Sequence, residues 1–103
     1  MREFRDYLYS NAGLENLAEN LVLQELYDFA QKVENSKDSD FCVCYICLAD
    51  VAAIVLNEIK PYYCSNFIDK SKNKDYSSNY KSEVQQKIAE AFELVKKNPH
   101  HGI

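Results

Sequence analysis

The sequence predicts an all-α, or nearly all-α, domain, and three observations lead to this prediction. Only two glycines and two prolines interrupt the 103 residues. Long stretches are rich in leucine, alanine, glutamate, lysine and glutamine, which have high helix propensity. In three of these stretches apolar residues recur at helical spacing. With 47% hydrophobic and 27% charged residues, the composition is that of one small globular domain with a modest core.

The first long helix is predicted over about residues 11–34. A surface helix needs only a narrow apolar stripe, but this one has a broad apolar face. The width predicts burial on more than one side, and a second copy of the chain in a homodimer would supply the extra contact. The apolar positions are Leu14, Leu17, Ala18, Leu21, Val22, Leu26, Phe29 and Val33.

The central helix is predicted to start near Cys44, after three residues of the types that cap helices. These candidate caps are Asp38, Ser39 and Asp40. Pro61 ends the helix, because proline disfavours the α conformation in the residue before it. Between these limits the apolar positions at helical spacing are Cys47, Val51, Ile54 or Val55, and Ile59.

The rest of the chain is predicted to comprise an extended segment, a loop and a last helix. Residues 61–68 are aromatic and predicted to be extended, whereas the polar residues 69–81 are predicted to form an exposed loop. The last helix is predicted over about residues 80–97, with lysines in its final turn as the helix dipole favours. Its apolar positions are Val84, Ile88, Ala91, Phe92 and Val95.

Charge and composition argue against several classes of function. The formal net charge of -4 gives no electrostatic footprint for duplex DNA. The N-terminus lacks the apolar core of a signal peptide, and no apolar run approaches the length that spans a bilayer. No catalytic triad, glycine-rich phosphate loop or HExxH motif is present, so we expect no enzyme. We therefore expect a cytoplasmic protein with neither membrane nor DNA as partner.

All four cysteines lie within residues 42–64. Cys42, Cys44 and Cys47 form a C-x-C-x-x-C pattern, in which the last two lie one turn apart if the helix begins near Cys44. A helix N-terminus stabilises thiolates, so the three sulfurs could converge on Zn²⁺. The alternatives are small buried hydrophobic residues and a redox dithiol. Because the cytoplasm keeps thiols reduced, we expect no structural disulfides, and the spacing of the three cysteines favours a metal site.

Structural zinc takes four ligands, so the triplet needs one more. Cys64 is a candidate, but it follows the central helix, which is about 22 Å long. Three extended residues after Pro61 cover only about 10 Å, so Cys64 can complete the site only if the helix is shorter than predicted or if the thiol comes from another subunit. A second subunit, His100, His101 or a water molecule are the other candidates.

The run CVCYICLADVAAIVLNEIKPYY resembles the ComFB family of late competence development proteins. Upstream, NLAENLVLQEL is similar to the first helix of that family, and downstream VKKNPHH is similar to its close. The resemblance covers residues 14–101 as one helical domain and leaves residues 1–13 as an N-terminal segment. The family pattern C-x-C-x-x-C-x-x-D-V-x-A-x-x-L-N, with a proline and a tyrosine after it, is matched at Cys42, Cys44, Cys47, Asp50, Val51, Ala53, Leu56, Asn57, Pro61 and Tyr63.

The resemblance implies a small dimeric protein that binds Zn²⁺ through cysteines and serves as a regulatory or interaction module for an unknown protein partner. Some family members resemble receptors for cyclic di-GMP, so a cyclic dinucleotide is an alternative ligand. Two residues depart from the family pattern. His100 stands where many relatives have arginine, which argues against a nucleotide, and Cys64 stands where valine is common, which leaves open a fourth metal ligand particular to this chain.

Two further polar groups are candidates for ligand binding. Asp50 and Asn57 lie two turns apart on one side of the central helix, where local hydrogen bonding is the simpler explanation. The predicted loop mixes lysines with Tyr76 and Tyr80, and such side chains can contact phosphates and stack on bases. A solvated loop is again the simpler interpretation.

Overall fold

The structure is a computed structural model that describes residues 2–36, 40–65 and 72–97. Within these residues the chain is nearly all helical, which confirms the predicted fold class. A π-helical stretch, Tyr7–Asn11, directly follows the short N-terminal helix Arg2–Asp6. The elements are α1 (Arg2–Asp6), β1 (Glu15–Asn16), α2 (Leu17–Glu34), α3 (Tyr45–Glu58), β2 (Tyr63–Cys64) and α4 (Lys72–Lys97). The three long helices that the sequence predicts correspond to α2, α3 and α4.

The hydrophobic core lies where α2, α3 and α4 meet. Phe92 of α4 is at its centre, with its ring centroid 4.7 Å from that of Phe29 on α2 and 5.4 Å from that of Phe41. Aromatic pairs at these separations add to the free energy gained by burying their area. The other buried members of this core are Leu21, Val22, Leu26, Cys47, Val51, Val55, Val84, Ile88, Ala91 and Val95.

Helix α2 begins at Leu17, so the predicted start near residue 11 is wrong. Gly13 has a φ of 71°, a left-handed conformation that favours glycine and breaks the helical path. Asn16 then caps the helix, because its Oδ1 accepts a hydrogen bond from the amide of Ala18 at 3.1 Å. Leu14 therefore lies outside the helix, although its spacing continues the apolar face.

The start of α2 is also bound to the segment that follows α3. Asn16 Oδ1 accepts a second hydrogen bond from the amide of Tyr62 at 2.9 Å, and the amide of Leu17 donates to the carbonyl of Tyr62 at 2.7 Å. Strands β1 and β2 pair antiparallel next to these bonds, with Glu15 opposite Cys64. The predicted extended segment is thus a short strand at its centre, and residues 66–68 lie outside the described residues.

Helix α3 starts at Tyr45 with Cys44 as its N-cap, which agrees with the predicted start near Cys44. The predicted capping residue Asp40 does not cap the helix. Its carboxylate instead lies 2.8 Å from the Nζ of Lys96 near the end of α4. Positions 38 and 39, the other two candidate caps, fall outside the described residues.

Helix α4 begins at Lys72, so the predicted exposed loop is wrong for residues 72–81, while residues 69–71 lie outside the described part. Tyr76 and Tyr80 continue the helical spacing of Val84 and Ile88 toward the N-terminus of the helix, which explains why this polar stretch is helical. Although α4 has 26 residues, it is too polar to cross a membrane, and no other helix in the described ranges is long and apolar enough to do so.

The first ten described residues form a helical segment apart from the core. We call residues 2–11, which comprise α1 and the π-helical stretch, the arm. None of its residues is buried. Its base is fixed by two backbone hydrogen bonds, from the amide of Ala12 to the carbonyl of Tyr7 at 3.1 Å and from that of Leu14 to Leu8 at 2.9 Å.

Candidate metal centre

Three of the four cysteines form one group at the N-terminus of α3. The Sγ atoms of Cys42, Cys44 and Cys47 all lie within 4.8 Å of one another, which agrees with the predicted convergence. Three sulfurs on a tetrahedral zinc at about 2.3 Å would be about 3.8 Å apart, so small side-chain rotations would close the group around an ion. The group extends from the protein surface into the interior: Cys44 is exposed, Cys42 is half-buried and Cys47 is buried.

The capping geometry of α3 brings two of these thiols together. Cys44 has extended backbone angles, φ -68° and ψ 160°, as an N-cap residue should. Its Sγ accepts a hydrogen bond at 3.5 Å from the amide of Cys47, which is the third residue of the helix. A thiol here takes the place of the usual hydroxyl or carboxylate cap, and as a thiolate it would also interact favourably with the helix dipole.

The third thiol, on Cys42, is positioned by the residues just before it. Phe41 packs between α2 and α4, with its ring centroid 6.2 Å from Phe29 and 5.4 Å from Phe92. Lys96 adds a contact from α4, because its Nζ lies 5.6 Å from the centroid of the Phe41 ring while it pairs with Asp40. Sequence reasoning missed these supports, because the partners of Phe41 are remote along the chain.

The thiols of Cys44 and Cys47 differ in pKa in the metal-free chain. The hydrogen bond from the Cys47 amide lowers the pKa of Cys44 from its ordinary value. Burial raises the pKa of Cys47 to about 12, and the neighbouring thiols of Cys42 and Cys44 act in the same direction. Without a cation, Cys47 is therefore protonated at neutral pH. A bound metal ion would displace this proton, so metal affinity should increase as the pH rises.

These pKa shifts predict an order of chemical modification. In the metal-free folded chain at neutral pH, Cys44 should react with iodoacetamide first, because it is exposed and its lowered pKa increases the thiolate fraction. Cys47 should react last, since it is 0% exposed and protonated. Mass spectrometry of peptides after timed alkylation measures the order, with the denatured chain as control. Equal rates for both thiols in the folded chain would contradict the described geometry.

The structure does not bring Cys64 into this group. Cys64 lies in β2, beyond the far end of α3, and is only 1% exposed. Its thiol donates to a carboxylate oxygen of Glu15 at 3.9 Å. The candidate ligands His100 and His101 lie outside the described residues.

The other polar candidates lie elsewhere on the surface. Asp50 is half-buried and Asn57 is exposed, and both lie on α3. Tyr76 and Tyr80 have ring centroids 4.7 Å apart, and Tyr62 lies 5.3 Å from Tyr76. These tyrosines line a cavity of about 270 Å³ together with the carboxylates of Glu58 and Glu83 and with Ile59, Lys60, Pro61 and Val84.

The fold and the site define a small helical protein with three convergent thiols that could hold a metal ion. The chain belongs to the family of the late competence development protein ComFB, whose family model matches residues 15–99. This match confirms the resemblance carried by the cysteine pattern. A comparison with curated proteins gave no match.

Among solved structures, the chain is similar to the late competence protein ComFB from Bacillus subtilis. The two share 23% sequence identity with a TM-score of 0.66, over 85% of this chain and 93% of the other. At this level of identity the comparison supports a common fold.

Proposed function

We propose that this protein is a non-enzymatic regulatory or interaction module that binds Zn²⁺ through its cysteines and works as a homodimer in the cytoplasm with a protein partner. The single observation that carries this proposal is the convergence of three thiols within 4.8 Å at the N-terminus of α3. Membership of the late competence family supports a competence-related role. The domain that performs it extends over residues 14–101, with residues 1–13 as a separate segment.

Zinc is the metal that this donor set suits best. Thiolate ligands select soft or borderline ions such as Zn²⁺, whereas Mg²⁺ and Ca²⁺ prefer oxygen. A divalent ion would also stabilise the deprotonated form of Cys47, which burial disfavours. Because Cys42 precedes α3 and Cys47 is in its first turn, the ion would fix the start of α3 against the residues before it, which is a structural role.

The fourth zinc ligand must come from outside the group. The three candidates are Cys64 of a second chain, one of the two C-terminal histidines, and a water molecule. Within one chain, α3 with its 14 residues separates Cys64 from the group by about 21 Å. Cys64→Ser distinguishes the candidates, because it lowers the zinc content only if a second chain supplies this thiol.

The experiment that tests the proposal is elemental analysis of untagged protein purified under reducing conditions, with free thiols counted before and after chelation. We expect about one zinc per chain and at least three thiols that react only after chelation, since a structural site takes its ligands as thiolates. No metal, together with four freely reacting thiols, would remove the zinc proposal.

A thiol redox sensor is the second candidate, and one observation favours it. Cys44 is exposed and its pKa is lowered, as in redox-sensitive cysteines, and Cys42 lies close enough to act as its partner. This candidate predicts the opposite result in the same experiment, with reactive thiols and no metal. A cyclic dinucleotide receptor has less support, because the tyrosine-lined cavity has two carboxylates, Glu58 and Glu83, and one lysine, Lys60, while both arginines of the chain lie in the arm at positions 2 and 5.

A further inference from the structure

One side of the arm is apolar and exposed. Phe4 and Tyr7 are each 62% exposed, and Leu8 is 37% exposed. Their spacing of three and four residues places them on one side of the helical arm. The arm also lies before the family match, which begins at residue 15, so it is a feature additional to the common fold.

A groove of about 400 Å³ lies on the body of the protein, between α2 and the start of α3. Leu23 is 46% exposed and Tyr27 is 61% exposed, one turn apart on α2. Most side chains around the groove are apolar. Six of them are Leu23, Leu26, Tyr27, Ala30, Val43 and Leu48.

We infer that the arm of one copy of this chain docks in the groove of a second copy, and that the exchange is reciprocal. An amphipathic helix with apolar residues at positions i, i+3 and i+4 is the usual occupant of an apolar groove. The charges next to the apolar side are also complementary. Arg2 and Arg5 are three residues apart along one edge of the arm, and Glu3 and Asp6 lie along the other edge. Glu34 lines the groove, so that the arginine edge can face it.

The position of the arm favours a second copy over the groove of the same chain. The arm leads directly into β1, and the pairing of β1 with β2 holds it beside the end of α3. The groove lies toward the opposite end of α3, where Val43 and Leu48 line it. In this arrangement the arm of the same chain buries none of its residues.

Reciprocal exchange would also supply more of the interface area that a stable dimer requires than a single contact would. Each copy contributes one arm and one groove, so a twofold axis produces two identical contacts. A stable interface buries about 800 Å² on each partner, which a single contact of a ten-residue arm would hardly supply. This inference rests on the homodimer proposed above and is independent of the metal.

Two full-length variants test the inference, one on each side of the contact. Phe4→Glu places a charge on the apolar side of the arm, and Leu23→Glu places one in the groove. Each should weaken self-association by about tenfold or more, measured by sedimentation equilibrium, because a charge would be buried without a partner. Since both side chains are exposed within one chain, the helical circular dichroism of each variant should equal that of the unchanged protein.

Each variant has a matched control. Ser10→Glu adds the same charge to the arm next to Glu3 and Asp6, in a separate depression whose edge toward the apolar side is formed by Tyr7. Leu94→Glu adds a charge at an apolar side chain of α4 that is 50% exposed, similar to Leu23. Both controls should associate as the unchanged protein does.

Mixing the two disruptive variants distinguishes exchange between copies from docking within one chain. A mixed dimer of Phe4→Glu and Leu23→Glu chains retains one intact arm and one intact groove that face each other, so the mixture should associate more strongly than either variant alone. Equal association of the mixture and the single variants would overturn the inference in favour of docking within one chain.

Two further outcomes would also overturn the inference, and they differ in what they mean for the dimer. Dimers of unchanged affinity in both disruptive variants would reject the arm exchange and leave the homodimer standing. A monomer mass for the unchanged protein at micromolar concentration would reject both.

Discussion

Cys44→Ser is expected to lower the melting temperature of the zinc-loaded protein by roughly 10–20 °C and to leave the metal-free protein unchanged or slightly more stable. Free metal at about a hundredfold excess over its dissociation constant stabilises the fold, and the variant loses this stabilisation. In a domain of this size the loss corresponds to the stated shift in melting temperature. The opposite sign without metal follows from the N-cap position of Cys44, where serine is among the preferred residues.

The measurement is thermal unfolding followed by circular dichroism, with and without a chelator. Cys64→Ser is the matched control, because it makes the same change at a buried site outside the group. Its effect should be the same with and without metal unless a second chain supplies Cys64 as a ligand. A Cys44→Ser protein whose loss of stability does not depend on metal would contradict a structural zinc site.

Phe92→Ala is expected to lower the free energy of unfolding by about 3–5 kcal/mol, the usual result of truncating a fully buried phenylalanine. Phe92 is 1% exposed and contacts the rings of both Phe29 and Phe41. A domain of this size has a total stability of only about 5–15 kcal/mol, so the variant should be close to unfolding. The substitution should also loosen the position of Cys42 in the cysteine group, because Phe41, which packs against Phe92, immediately precedes Cys42.

Urea unfolding measures the change in stability, and Leu94→Ala on the same helix is the control. Leu94 is 50% exposed, so its truncation should change the free energy of unfolding by no more than about 0.5 kcal/mol. Similar urea midpoints for Phe92→Ala and the unchanged protein would contradict the central position of this ring in the core.

The long helices and the cysteine triplet are predictable from the sequence because both depend on local spacing. The apolar stripe of α3 and the short intervals between Cys42, Cys44 and Cys47 need no knowledge of remote residues. The separation of Cys64 from this group also follows from local information, namely the length of α3 in residues.

The errors at the helix starts have two different physical causes. The apolar spacing of Leu14 continues that of α2, but the left-handed Gly13 and the capping side chain of Asn16 place the start at Leu17. For α4, the polar composition of residues 72–81 led to the prediction of a loop, although these residues also carry a helical spacing of apolar side chains. Tyr76 and Tyr80 are spaced four residues apart in line with Val84, a pattern that predicts helix when tyrosine is counted as apolar.

The strand pair and the supports of the metal site were beyond local reasoning. Glu15 pairs with Cys64 and Phe41 packs against Phe92, and in both cases about fifty residues separate the partners. No periodicity or spacing within either segment specifies such a partner.

The hydrogen bonds of Tyr62 with Asn16 and Leu17 have a topological consequence. They bring the two ends of residues 16–62 together, so that α2 and α3 form a closed lobe with a single point of entry and exit. The cysteine group lies at the opposite pole of this lobe, beyond the full length of α3. Extra residues inserted before β1 would leave these bonds and the strand pair in place, and would therefore change neither the path of these two helices nor the pole where the thiols converge.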